Sequence, residues 1–90
     1  MNVKRGIKMF KNKTNDGKNN ICGKKICELR KSQNPKMSQR MLAERAQVEG
    51  LDLDKNAIQR IESGQRFVTD IELKVFAKIL EVRYDELLKE

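Results

Sequence analysis

The stretch Val68 to Leu80, VTDIELKVFAKIL, leaves the chain few alternatives. Thr69 and Glu72 stand three apart. At that spacing a threonine oxygen caps the first turn of a helix while the glutamate reaches back to the threonine N–H. Val68 and Leu73 flank the cap as a hydrophobic staple. Leu73, Phe76, Ala77 and Leu80 then follow the i, i+3, i+4, i+7 rule, so the segment is an amphipathic helix with one face to bury. A face of that kind needs partners of the same period, and the rest of the chain supplies them.

From Ile21 onward, Cys22, Ile26, Leu29 and Gln33 share a helical stripe that Asn34-Pro35 ends. In MSQRMLAERAQV, Ser38 is an N-cap, and Met37 and Leu42 form a second staple. Leu42, Ala43 and Ala46 face inward there, the alanines allowing close approach of another helix, and Gly50 marks the exit. A third helix is expected from about Lys55 to Glu62, with Ile58 and Ile61 inward and Ser63-Gly64 as its stop. Either Asp54 or Asp52 caps it. Val82 and Leu87-Leu88 point to a last short helix on the same core. No segment alternates as a strand does, so the expected fold is all-α, a compact bundle of five short helices.

Ninety residues make one small domain with a modest core, which puts function on the surface. The net charge of +7 is uneven. Residues 1–20 hold six basic groups against Asp16, giving +5 and leaving +2 for residues 21–90. The first twenty residues are expected to be a flexible basic arm, either a solvated tail or an arm that contacts DNA. No apolar run is long enough to span a membrane or to serve as a signal peptide, so no membrane partner and a cytoplasmic location are expected. Cys22 and Cys27 are too few for a disulfide framework. With no histidine and no second cysteine pair, no metal site or cofactor is expected. The chain offers no constellation of catalytic groups and no Gly-rich phosphate loop, so an enzyme is not expected.

Taken in order, GKKICELRK, MSQRMLAERA, AIQRIESGQR and TDIELKVFAKILEVRYDELL resemble the successive motifs of the Cro/repressor-type family of DNA-binding domains, the XRE-like or lambda-repressor-like proteins. The resemblance covers about residues 20–88. It is carried most specifically by Ser-Gln-x-x-Leu-Ala and Ile-x-x-Ile-Glu-x-Gly in that order. It implies a helix-turn-helix made by the second and third helices, with Ser38 and Gln39 on a DNA phosphate and the third helix in the major groove. Lys55, Asn56 and Arg60, with Gln59 beside them, match the family's base-reading positions, and their chemistry suits guanine and adenine edges. Ser63, Gln65 and Arg66 match positions used against the sugar-phosphate backbone. Arg30 and Glu62 match a structural ion pair joining the first helix to the third.

The connection from Ala46 to Ile58 is about five residues longer than in the simplest members, which predicts a real loop in place of a minimal turn. Arg83 stands where the family often has a capping Ser or Asp, so the last helix is expected to begin loosely. The function implied is a sequence-specific transcriptional regulator, a repressor, acting on double-stranded DNA without a small-molecule ligand. Homodimers are common in the family, and Val75, Ile79 and Leu88 are the candidate contact. The alternative is a protein-interaction module, antitoxin-like or a dimerisation partner, on the same fold.

Overall fold

The computed structural model describes residues 13–14 and 16–90, and over these the chain is all-α. Five helices follow one another: α1 (Gly23–Lys31), α2 (Gln39–Val48), α3 (Lys55–Glu62), α4 (Asp70–Leu80) and α5 (Tyr84–Leu87). There is no strand among the described residues.

Most starts are set by side chains within one turn. Ser38 Oγ accepts the Met41 N–H at 3.0 Å. Thr69 Oγ1 accepts the Glu72 N–H at 3.1 Å, and Glu72 Oε1 accepts the Thr69 N–H at 3.0 Å, which closes the capping box. Asp54 Oδ1 accepts the Ala57 N–H at 2.8 Å, so Asp54 and not Asp52 caps α3. Arg83 gives α5 no side-chain cap, and α5 is a single turn.

α1 is shorter than the apolar period from Ile21 to Gln33. Its first amide, Gly23 N–H, donates to Asn20 Oδ1 at 2.7 Å. Its end comes at Lys31, ahead of Asn34-Pro35, because Ser32 Oγ and Gln33 Nε2 both turn back onto the Leu29 carbonyl. Gln33 thus caps the helix instead of extending its stripe.

Phe76, Ile26, Leu42, Ile58, Ile61 and Leu87 fill the centre of the core, with Cys22, Met37, Leu53 and Leu80 around them. Ala43 and Ala46 of α2 and Ala57 of α3 are buried, and these two helices make the most extensive helix–helix contact. α1 crosses the end of α3 so closely that a Cβ on Gly23 would lie 2.1 Å from the Ile61 carbonyl oxygen. Only glycine fits there.

Residues 49–54 connect α2 to α3 as a pinned loop. Gly50 turns at φ 96°, Leu51 N–H returns to the Ala46 carbonyl at 3.0 Å, and Gln47 Nε2 donates to the Leu53 carbonyl at 2.8 Å. Leu53 is buried, so the loop carries its own anchor into the core.

The expected basic arm lies largely outside the described residues. Its last part is tied down. Asn19 N–H donates to the Gly64 carbonyl at 2.8 Å and Asn19 Nδ2 to the Gln65 carbonyl at 2.7 Å. Asn20 Nδ2 donates to the carbonyls of Ile61 at 3.0 Å and Arg66 at 2.7 Å. Asn20 therefore caps the start of α1 and the end of α3 together.

Cys22 and Cys27 are free thiols, and burial pushes the Cys22 thiol up to about 11. No described helix is long and apolar enough to cross a membrane, and no cluster of three metal-ligating side chains is present among the described residues.

Candidate nucleic-acid interface

α3 divides cleanly into two faces. Ala57, Ile58 and Ile61 are buried, whereas Lys55, Asn56, Gln59 and Arg60 are exposed. At about 100° per residue the four exposed side chains cover a sector of about 140° on the helix surface. None of them is engaged by another side chain among the described residues. Four polar groups with planar or cationic hydrogen-bonding ends thus stand side by side, held by a core they do not enter.

Beside this face the starts of α2 and α3 border an open, shallow groove lined by Arg30, Ser38, Gln39, Arg40 and Lys55. The first amides of α2 have no partner within the helix and Ser38 Oγ satisfies only that of Met41, so the Gln39 and Arg40 N–H groups are left for an acceptor. The partial positive charge of the helix end adds to the Arg40 and Lys55 cations at the same mouth. Such a groove accepts an anion with oxygen acceptors.

The Gln39 side chain does not point freely into this space. Its Nε2 donates to Glu62 Oε1 at 2.9 Å. Glu62 also takes two bonds from Arg30, Nε to Oε2 at 2.7 Å and Nη2 to Oε1 at 2.9 Å, while Arg30 Nη1 donates to the Met37 carbonyl at 2.9 Å. One buried guanidinium and one carboxylate thereby join α1, the entry to α2 and the end of α3. Burial pushes the Glu62 carboxyl up, but the bonds from Arg30 and Gln39 outweigh it and hold it below the ordinary value. The same pairing raises the Arg30 guanidinium.

The residues after α3 are less uniform. Ser63 Oγ closes on the Arg60 carbonyl at 3.2 Å, Gly64 turns at φ 84°, and Gln65 is exposed. Arg66 is occupied within the chain: Nη1 and Nη2 donate to the two Glu72 carboxylate oxygens at 3.0 and 3.2 Å, and Nη1 also to the Phe67 carbonyl at 3.1 Å. Burial raises the Glu72 carboxyl, yet Arg66 and the Thr69 N–H keep it below its ordinary value.

The structure thus brings Lys55, Asn56, Gln59 and Arg60 onto one open face, sets Ser38 and Gln39 beside it, and turns Arg66 back onto α4. Sequence reasoning passed over Arg40, although it is the next residue of a helix start already singled out. It also missed Asn19 and Asn20, whose partners lie 41 to 46 residues away and leave no local pattern. No protein-family model, curated protein or solved structure matches the chain.

Proposed function

We propose that the chain is a sequence-specific DNA-binding transcriptional regulator of the lambda-repressor-like kind, in which α2 and α3 act as a helix-turn-helix and α3 enters the major groove. The observation that carries this is the unengaged polar face of Lys55, Asn56, Gln59 and Arg60 directly beside the basic groove at the start of α2. Eight residues of helix extend about 12 Å, matching the width of the groove they are to enter. Asn56 pairs with adenine and Arg60 or Lys55 with guanine, each good pair giving about 1–3 kcal/mol of discrimination. The N–H groups of Gln39 and Arg40 hold a phosphate and set the register. Occupation of an operator in this way represses transcription.

Fluorescence anisotropy with a duplex selected from a random pool, at two salt concentrations, tests the proposal. Affinity falls with salt, Asn56→Ala and Arg60→Ala lose the preference for the selected duplex, and Arg40→Ala weakens selected and random duplexes alike. Absence of binding at low salt overturns it.

A protein-interaction module is favoured by one feature, an apolar groove of about 790 Å³ along α4 and α5 floored by Val75, Ala77, Val82 and Tyr84. Of the candidate dimer contacts, Val75 and Ile79 are half-buried and Leu88 is exposed. A stoichiometric protein complex with no protection of any duplex supports the module over the regulator.

A further inference from the structure

Arg66 is the cation expected to meet the sugar-phosphate backbone beyond α3, and both Nη atoms of its guanidinium donate to the Glu72 carboxylate. The loop it belongs to is not left without positive charge. Residues 13–14 and 16–20 fold back on that loop: besides the four bonds from Asn19 and Asn20 to the carbonyls of Ile61, Gly64, Gln65 and Arg66, the stem of Lys18 lies over Gly64, its Cδ 2.7 Å from where a Cβ would be. The strap has its own internal turn. Thr14 N–H donates to the Lys18 carbonyl at 2.7 Å, Gly17 N–H to the Thr14 carbonyl at 2.9 Å, and Lys18 N–H to Thr14 Oγ1 at 2.9 Å. Lys13 Nζ is held near Asn19 Oδ1 at 2.9 Å with two N–H groups to spare. Lys13 and Lys18 are both exposed and neither is in an ion pair among the described residues, while the Asp16 carboxylate, which accepts from Thr14 Oγ1, stays charged within reach of Lys18.

We infer that this strap is a second DNA-contacting element, in which Lys13 and Lys18 take the sugar-phosphate contacts at the end of α3 that Arg66 does not make. The inference rests on the DNA-binding reading, because α3 must enter the major groove for its trailing loop to meet the backbone. A segment hydrogen-bonded to that loop is then carried to the groove edge with it, and its lysines gain phosphate oxygens without the ordering entropy of a free tail. Lysine suits this role, since a point charge on a flexible stem neutralises phosphate without reading sequence.

The test is the salt dependence of duplex binding by the full chain, wild type against Lys13→Ala/Lys18→Ala, Lys13→Arg/Lys18→Arg and Arg66→Ala. Each lost phosphate contact lowers the log–log salt slope by about 0.9, so the double alanine variant loses about 1.8 in slope and about 60-fold in affinity at 0.1 M salt relative to 1 M. The loss is the same on selected and random duplexes, the arginine pair restores it, and Arg66→Ala leaves the slope unchanged. All three side chains changed are at least partly exposed, and far-UV circular dichroism verifies that the helices persist. A wild type that binds duplex, with a double alanine variant of unchanged slope, overturns the strap alone. A slope lost in Arg66→Ala and kept in the double variant overturns it in favour of Arg66. A wild type that binds no duplex overturns the regulator reading as well.

Discussion

Replacing Arg30 by methionine tests the link between the three helices that frame the candidate interface. The side chains of Arg30 and Glu62 are only 10% and 5% exposed, and two hydrogen bonds of 2.7 and 2.9 Å join them. Arg30→Met keeps the apolar stem and leaves a buried carboxylate with only neutral donors, Gln39 Nε2 and the Cys27 thiol. Breaking a buried pair from one side costs roughly 3–5 kcal/mol. A chain of this length has a total stability of about 5–13 kcal/mol, so the variant loses between about a quarter and all of it. Arg30→Met/Glu62→Leu removes both charges and recovers most of the loss. Urea unfolding followed by circular dichroism at pH 7 gives all three values, and the double variant remains informative even where the single one is unfolded.

The sign of the pH dependence differs between the two proteins. In the wild type Glu62 is held below its ordinary value of 4.5, so its contribution is present above that pH and disappears as the pH falls through the lowered folded value. In Arg30→Met the unpaired, buried carboxyl prefers its proton, so the deficit against the wild type narrows on acidification from pH 7 to 4. An Arg30→Met variant within about 1 kcal/mol of the wild type, the range of an exposed pair, would refute the reasoning. So would an Arg30→Met/Glu62→Leu variant no more stable than Arg30→Met.

Three further outcomes follow from local geometry. Asp54→Ala removes the cap of α3 and costs about 1 kcal/mol, whereas Asp52→Ala stays within about 0.5 kcal/mol, both measured by urea midpoint. Glu81 ends α4 in the left-handed region at φ 57°; Glu81→Gly relieves it, and a gain of about 0.5–1 kcal/mol raises the thermal midpoint by roughly 2–8 °C. Gly23→Ala forces a methyl group against the Ile61 carbonyl and costs about 1–3 kcal/mol or more, seen as a lowered thermal midpoint.

The helices were legible because their signals are short. The Thr69–Glu72 box, the Ser38 cap and the Met37–Leu42 staple all act over three to five residues; the structure forms the box and the cap and buries both residues of the staple. The inward residues of α2, α3 and α4 were legible for the same reason: a period of 3.6 declares a face before its partner is known. The cap of α3 was open between two aspartates, because either could take a first-turn amide until the loop fixed where the helix begins. Leu53 sets that point by entering the core while Gln47 holds its carbonyl.

The candidate interface was legible in part. The outward face of α3 follows from Ile58 and Ile61 facing in, and the structure leaves Lys55, Asn56, Gln59 and Arg60 open. Arg66 could not be read in this way. A guanidinium six residues before a glutamate has no preferred partner in sequence, and only the turn at Phe67 and the capping box bring Glu72 to it. Gln39 likewise meets Glu62 across 23 residues.

By itself the sequence determined which segments are helical, where two of them start and which side of each is apolar, since these depend on contacts within a turn or two. Tertiary structure alone decided which polar groups remain free for a partner. Asn19 and Asn20 were committed to the carbonyls at the end of α3, Arg66 to Glu72 and Gln39 to Glu62, by contacts some of which span more than forty residues. A side chain has a fixed number of donors and acceptors, and which of them are used up depends on groups that only folding brings within 3 Å or so.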